Sequence, residues 1–255
     1  MAELTCERLV LGDFPSDVET EHLERYKWAS QYAKGMDVLD VACGSGYGSK
    51  MLADAGARRV RGFDLASDAI EHAKSHHIGE NLSYAVGNAE DLSQIADASI
   101  DLFVSFETIE HLPHVEKYLG EVQRVLRPGG RFLVSTPDRR LASTMYPLRG
   151  KPNNPFHLFE FTEREFLEAL GRRFTVERIA GQAFVPRALV FWPLQVFLKA
   201  LCYGFRKFGA YGFIRNHYHL GSGFSVQERA AHKGAIARYW VIVCRKSGSG
   251  HGPQC

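Results

Sequence analysis

The stretch that decides the fold is Val38-Leu-Asp-Val-Ala-Cys-Gly-Ser-Gly-Tyr-Gly48, in which an apolar run leads directly into alternating glycines. The run is typical of a buried strand. The glycines allow positive φ angles and let a ligand approach the main chain closely. Asp64 lies 20 residues after Gly44 in the chain. At about this spacing in nucleotide-binding folds, a carboxylate accepts hydrogen bonds from ribose hydroxyls. The stretch therefore predicts a strand and a turn that bind a nucleoside.

The spacing of the glycines argues against a dinucleotide as that ligand. A pyrophosphate-binding turn has its third small residue five positions after the first. Here Ser49 stands at that place, and Gly48 comes one position early. A diphosphate therefore fits poorly, although an NAD-dependent dehydrogenase stays open as an alternative.

Short apolar runs alternate with amphipathic stretches over residues 37–135, and two further runs follow. The runs are 38–41, 60–63, 82–86, 100–106, 131–135, 174–179 and 239–244. Strand and helix alternation of this kind indicates a parallel sheet with helices on both faces. We expect an α/β, Rossmann-like, mostly parallel sheet of seven strands, with an N-terminal capping helix and a helical insertion near the C-terminus.

The same pattern predicts one domain over residues 1–246. Within it we expect an N-terminal cap (1–36), a cofactor-binding core (37–137) and substrate-side elements (138–246) that include an insertion at 180–238. Capping boxes at Ser16 and Thr162 predict helix starts in the first and third parts. Residues 247–255 have the composition of a flexible tail.

Four ordered motifs carry a resemblance to a known family. They are Asp40 with the glycine turn, Gly87-Asn-Ala-Glu-Asp-Leu92, Ser105-Phe-Glu-Thr-Ile-Glu-His-Leu112 and Leu126-Arg-Pro-Gly-Gly130. The chain resembles the class I S-adenosylmethionine (SAM) methyltransferases, and most closely their small-molecule branch of ubiquinone- or menaquinone-type and sugar or glycan O-methyltransferases. The likeness is dense over residues 38–137 and looser in the flanks.

The resemblance implies SAM as the cofactor and assigns residues to it. Gly44 and Gly46 would face its methionine part, Asp64 its ribose, and Leu65 and Ala89 its adenine. Asn88 stands where the family usually has Asp, and its amide oxygen can still accept a hydrogen bond from the adenine. The complete predicted cofactor set is Tyr26, Asp40, Gly44, Gly46, Asp64, Leu65, Asn88, Ala89, Glu90 and Phe106.

A hydroxyl acceptor needs a base, and two histidines follow predicted strands at the acceptor side. His157 is the first choice, with Glu160 to orient it, and His111 is the second. Glu107, Phe156 and Glu160 are the predicted substrate-binding residues. The alternative for His157 is a structural role beside the helix that starts at Thr162. We expect methyl transfer to a hydroxyl of a small molecule, sugar or lipid-linked glycan.

Other functions remain open. They are N- or C-methylation of a small metabolite and a non-catalytic SAM-binding partner subunit. Adjacent histidines such as His111 and His114 lack carboxylate or thiolate partners at ligand spacing, so we expect no metal. Nucleobase methylation usually goes with Asn or Asp, then Pro-Pro and an aromatic residue, after the fourth run, where this chain has Ser105-Phe-Glu-Thr108. The net charge is only +2, so we expect no nucleic-acid partner.

Residues 180–227 form an aromatic segment with basic residues and no acidic residue. Three interpretations compete: packing on the sheet or on a second copy of the chain in a homodimer, a lid over the acceptor, and peripheral contact with a membrane. The scattered cysteines and the lack of an apolar leader predict a cytoplasmic protein with reduced thiols.

Overall fold

The computed structural model describes residues 16–143, 150–190, 193 and 224–247 of the chain. Most of the aromatic and basic segment 180–227 and nearly all of the predicted tail 247–255 lie outside these residues. Cys43 and Cys244 are buried free thiols, whereas Cys6, Cys202 and Cys255 lie outside the described part. None of the described helices is long and apolar enough to cross a membrane.

The described elements alternate as the sequence predicts. The helices are α1 (Ser16–Ser30), α2 (Tyr47–Asp54), α3 (Ser67–His76), α4 (Val115–Val125), α5 (Arg139–Ala142) and α6 (Glu163–Gly171). The strands are β1 (Asp37–Val41), β2 (Arg59–Asp64), β3 (Leu82–Val86), β4 (Ile100–Phe106), β5 (Leu126–Pro137), β6 (Thr175–Pro186), β7 (Gln227–Glu228) and β8 (Ala235–Arg245). Single 3₁₀ turns span Ile109–His111, Arg187–Val190 and Arg229–Ala231.

The described strands form one sheet in the order β3-β2-β1-β4-β5-β8-β6-β7. Strands β1 to β5 pair in parallel, and β8 lies antiparallel between β5 and β6. The strand order reverses at β1, between β2 and β4. Ligands bind at such a switch point, outside the carboxyl ends of the strands. The mostly parallel Rossmann-like architecture is confirmed.

The sheet has 8 strands rather than the expected seven. The additional strand is β7, whose Gln227 and Glu228 pair with Gly181 and Ala180 of β6. Two polar residues carry no periodic signal, so the sequence could not reveal this strand. The two closing strands are also longer than expected and pair out to Pro186 and Ala235, which moves the boundaries of the insertion inward from 180 and 238.

Both faces of the sheet are buried because its residues alternate between two apolar clusters. Val38 packs with Ala29 of α1 and Leu52 of α2. Leu39, the next residue, packs on the other face in the cluster that contains Leu119 of α4 and Phe166 of α6. Helix α6 starts at a complete capping box between Thr162 and Glu165, as predicted. The packing fixes the loops that follow β1, β2, β4 and β5 at one edge of the sheet.

Candidate active site

The glycine turn after β1 has a left-handed backbone at three positions. The φ angles are +61° at Ala42, +55° at Gly44 and +88° at Gly46. A Cβ on Gly44 would meet nothing within 4 Å, whereas a Cβ on Gly46 would lie 2.6 Å from the Cβ of Ala73. Gly46 is therefore needed for packing against α3, and Gly44 borders open space.

Asp40 lies fully buried at the end of β1. Its two carboxylate oxygens accept hydrogen bonds from the hydroxyls of Tyr26 (3.0 Å) and Ser49 (2.6 Å). Burial nevertheless raises the pKa of Asp40 to about 7, because desolvation disfavours the charged form. The carboxyl group thus joins α1 and α2 to the sheet beneath the glycine turn.

Asp64, at the end of β2, is tied to the same turn. Its two carboxylate oxygens accept hydrogen bonds from the backbone N–H groups of Gly44 (2.9 Å) and Ala66 (3.0 Å). Leu65 beside it is 72% exposed. A carboxylate has further lone pairs for ligand hydroxyls, and an exposed leucine offers an apolar surface to a flat ring. Both placements agree with the roles that the resemblance implies.

The loop after β3 is held by its own side chains. The side-chain oxygen of Asn88 accepts a hydrogen bond from the N–H of Glu90 at 2.9 Å. Glu90 is buried, and its carboxylate accepts a hydrogen bond from the N–H of His114 at the start of α4 (2.8 Å). Glu90 thus braces a neighbouring helix, and Ala89 lies between the two anchored residues. The contacts of Asn88 and Ala89 with adenine, and the place of Glu90 in the cofactor site, stay predictions.

Tyr26 of α1 is buried beneath the glycine turn. Its ring makes edge contacts with the rings of Tyr47 (5.6 Å) and Phe106 (5.1 Å). A Cβ on Gly48 would lie only 2.2 Å from the Tyr26 ring. The third glycine of the motif therefore makes room for Tyr26, and Tyr26 and Phe106 form the floor of the site.

Arg25, the neighbour of Tyr26, is only 1% exposed. Its Nη1 donates to the side-chain oxygen of Gln182 at 2.7 Å, and its guanidinium lies over the ring of Tyr239 at 4.8 Å. Its Nε and Nη2 atoms have no hydrogen-bond partner among the described residues. Buried donors are rarely left unpaired. The guanidinium is therefore suited to an anionic ligand group.

The loop after β4 carries two carboxylates at the same edge. Glu107 has φ +51°, and its side chain accepts a hydrogen bond from the hydroxyl of Ser135 at 2.6 Å. Glu110 is fully buried and accepts from the hydroxyl of Thr136 at 3.0 Å, and its other oxygen has no partner among the described residues. Burial, followed by the charge of Glu107, raises the pKa of Glu110 well above its ordinary value.

The two predicted histidines lie next to each other, although they are far apart in the chain. The rings of His111 and His157 meet edge to face at 4.8 Å. They are brought together by backbone pairing, because the N–H of Leu158 donates to the carbonyl of Glu110 at 3.0 Å. Phe156, which is 48% exposed, borders the pair.

Each histidine is oriented through its Nδ1 atom. His157 Nδ1 lies 2.7 Å from a carboxylate oxygen of Glu160, which is itself buried, and His111 Nδ1 lies 3.1 Å from the carbonyl oxygen of Phe156. In the neutral ring the proton therefore resides on Nδ1 and the lone pair on Nε2. The predicted His157–Glu160 pairing is present, and the neighbouring Glu110 is the member of this cluster that the sequence did not single out.

Comparison with known proteins shows which family this chain belongs to. Residues 39–134 match the family described as "Methyltransferase domain". A Mycolicibacterium smegmatis protein described as "Probable S-adenosylmethionine-dependent methyltransferase" is 41% identical over 145 residues, which cover 57% of this chain and 54% of that protein. A ubiquinone biosynthesis O-methyltransferase of Azorhizobium caulinodans is 32% identical over 197 residues, which cover 73% of this chain and 77% of that protein.

The solved structures show the same fold. A chain of the Haloferax volcanii complex between the Trm112 methyltransferase activator and a methyltransferase has a TM-score of 0.62 at 20% identity, covering 92% of this chain and 93% of that chain. This chain spans only 54% and 52% of the lengths of two mycobacterial relatives. It belongs to the class I S-adenosylmethionine-dependent methyltransferases. SAM is the cofactor of that family.

Proposed function

We propose that this chain transfers a methyl group from SAM to a hydroxyl oxygen of a small molecule, sugar or lipid-linked acceptor. The observation that carries the proposal is the His157–Glu160 pair, joined at 2.7 Å and placed at the carboxyl edge of the sheet beside the exposed ring of Phe156. Methylation of oxygen needs a group that takes the hydroxyl proton. The O-methyltransferase name of the Azorhizobium relative supports the same chemistry.

The described residues fit SAM at three places. The open space next to Gly44 accommodates a ligand against the main chain. The unpaired donors of the buried Arg25 guanidinium suit the carboxylate of a methionine. Asp64 would accept hydrogen bonds from a ribose, and the exposed Leu65 would contact an adenine. Asp64 is hydrogen-bonded to Gly44 of the turn, and Arg25 is the neighbour of Tyr26, whose ring packs against Gly48 of the same motif. One extended nucleoside would contact all three places.

When bound, SAM supplies a methyl carbon on a sulfonium, so that a C–O bond forms as a C–S bond breaks and the hydroxyl proton must leave. His157 Nε2 is the atom that receives the proton, because Nδ1 is engaged by Glu160. The Glu160 carboxylate holds the ring in this orientation and stabilises its positive charge. Phe156 and Leu158, 48% and 56% exposed, provide an apolar wall for the acceptor.

Replacing one predicted cofactor-binding residue and the proposed base, one at a time, tests the proposal. Asp64→Ala should abolish detectable SAM binding in calorimetry. His157→Ala should leave SAM affinity within about twofold and lower turnover by about 10²–10⁴, the range for loss of an acid–base group. His114→Ala is the matched control, because this exposed histidine lies outside the pair.

The acceptor itself is found by incubating the protein with methyl-labelled SAM and a fractionated cell extract, then identifying the labelled product by mass. A label on oxygen would support the proposal. A label on nitrogen or carbon, or equal losses of binding and turnover in His157→Ala, would contradict it. Tight SAM binding without labelling of any fraction would favour a non-catalytic partner subunit.

A further inference from the structure

We propose that Glu110, His111 and His157 form a binding site for a divalent transition-metal ion, with Glu160 as the residue that positions His157. One side-chain ligand atom from each of these three residues lies within 4.8 Å of the others. Ion binding itself is independent of the proposed function, and only the role of the ion rests on it.

The separations suit a metal after a small adjustment of side chains. Ligands about 2.0–2.2 Å from a zinc ion lie about 3.4 Å apart in a tetrahedral site. From separations of up to 4.8 Å, the three atoms must therefore approach one another by up to about 1.4 Å, a distance that rotation about side-chain bonds supplies. The backbone needs no change, because pairing of Leu158 with Glu110 already holds the two loops together.

The hydrogen bonds at the Nδ1 atoms of the two histidines are of the kind that metal-binding histidines make. A histidine that binds a metal usually donates its other ring N–H to a carboxylate or a backbone carbonyl. His157 has the carboxylate of Glu160 at Nδ1, and His111 has the carbonyl of Phe156. Both lone pairs are thus placed on Nε2.

The buried carboxylates supply an independent indication. One oxygen of Glu110 and one of Glu160 are buried and have no hydrogen-bond partner among the described residues, and the two side chains are 0% and 2% exposed. A buried carboxylate without a partner is costly. A dication bound to Glu110 would offset that cost there, and the charges of Glu160 and Glu107 nearby would favour it.

The donor set selects the kind of ion. Imidazole nitrogens with a carboxylate are suited to Zn²⁺, Mn²⁺, Co²⁺ or Fe²⁺, whereas Mg²⁺ and Ca²⁺ prefer oxygen ligands throughout. Such an ion lowers the pKa of a hydroxyl group bound to it. A bound ion would therefore change the role of His157 from proton acceptor to metal ligand through Nε2, and the acidified acceptor hydroxyl would give its proton to water.

The test uses untagged full-length protein, treated with a chelator and dialysed, and titrated with Zn²⁺ and Co²⁺ in a calorimeter. We expect one ion per chain and, for Co²⁺, a visible absorption band of a site with nitrogen ligands. His157→Ala and Glu110→Gln should each weaken binding at least tenfold. Glu160→Gln should weaken it by about 10–100-fold, as expected for a positioning residue. His114→Ala should bind the ions as the unaltered chain does.

Each variant is checked by thermal unfolding, and His157→Gln replaces any variant that does not fold. Absence of binding in the unaltered chain, or unaltered binding in the His157 variants, would overturn the proposal. The two proposals fail separately. Methyl transfer to oxygen by a chain that binds no ion would refute only the metal site. Specific ion binding without methyl transfer to oxygen would refute only the proposed function.

Discussion

At the scale of single residues, the site depends on polar groups that are buried at the carboxyl edge of the sheet. Asp40 and Arg25 are 0% and 1% exposed, but they differ in how many of their polar atoms have hydrogen-bond partners. Asp40 has two hydroxyl donors and is satisfied within the fold. Arg25 retains unpaired donors among the described residues. Asp40 therefore affects stability, whereas Arg25 is suited to ligand binding.

Asp40→Asn should flatten the pH dependence of stability between about pH 4 and 7. An unfolded aspartate titrates near about 3.9, whereas the pKa of Asp40 is raised to about 7 in the fold. Within this interval the folded chain keeps a proton that the unfolded chain has lost, so the free energy of unfolding falls as pH rises and levels off above it. The asparagine variant lacks this decline.

Urea unfolding at a series of pH values measures the effect. Asp54→Asn is the matched control, because Asp54 lies exposed on α2 and pairs with Lys50. It should retain the decline that Asp40→Asn loses. Identical pH profiles for the Asp40 variant and the unaltered chain would refute the raised pKa.

At the scale of elements, the contact between α1 and α2 depends on one glycine. Gly48 accommodates the Tyr26 ring, and no side chain fits between them. Gly44, four residues earlier, has open space at the position of a Cβ and a φ angle of +55°. The two glycines of one motif therefore serve different purposes, one in packing and the other in ligand access.

Gly48→Ala should destabilise the fold by about 1–3 kcal/mol, the usual cost of overpacking, through displacement of Tyr26. Gly44→Ala should cost about 1 kcal/mol for its left-handed backbone but weaken SAM binding at least tenfold, because the methyl group enters the open space. Chemical unfolding and calorimetry of both variants check the contrast. A Gly48 variant as stable as the unaltered chain would contradict the packing role.

The sequence predicted the strands well where they form clear apolar runs. Strands β1 to β4 lie within one residue of the predicted runs, whereas β5 begins at Leu126, five residues before the run predicted from residue 131. The sequence missed β7, because this strand of two residues is defined only by its pairing with β6. The burial of Arg25 has no local signal in the sequence either, because it depends on Gln182 and Tyr239 from strands far along the chain.

The histidine cluster shows the same limit at the site. His111 and His157 are predictable one at a time, each from its position after a strand. Their contact, and the place of Glu110 beside them, arises from pairing between two loops and has no local signal in the sequence. His114, which is nearer to His111 along the chain, instead donates its backbone N–H to Glu90.

At the scale of the whole molecule, charge pairs lie at the edge of the sheet opposite the site. Asp37 at the start of β1 pairs with Arg58 (2.7 Å) and with Arg127 (3.2 Å). Asp101 near the start of β4 pairs with the same two arginines. This network joins the amino ends of neighbouring strands, so it stabilises the sheet without contacting the site.

Asp37→Asn should therefore make the fold less sensitive to acid while it leaves SAM affinity unchanged. Arg58, followed by Arg127, lowers the pKa of Asp37 to about 2. The stabilisation is present above the unfolded pKa of about 3.9 and is lost as pH falls toward about 2. Unfolding between pH 5 and pH 2 in both proteins measures it. An equally steep loss of stability in the variant would exclude Asp37 as a source.

The position of β8 affects how the chain is made. This strand is the last of those described to leave the ribosome, yet it lies between β5 and β6. Until it emerges, both of those strands expose an unpaired border, and such borders invite association between nascent chains. The sheet of the nascent chain is therefore incomplete while the ribosome synthesises the residues from Pro186 to Arg245. Protection by chaperones is most needed in that interval.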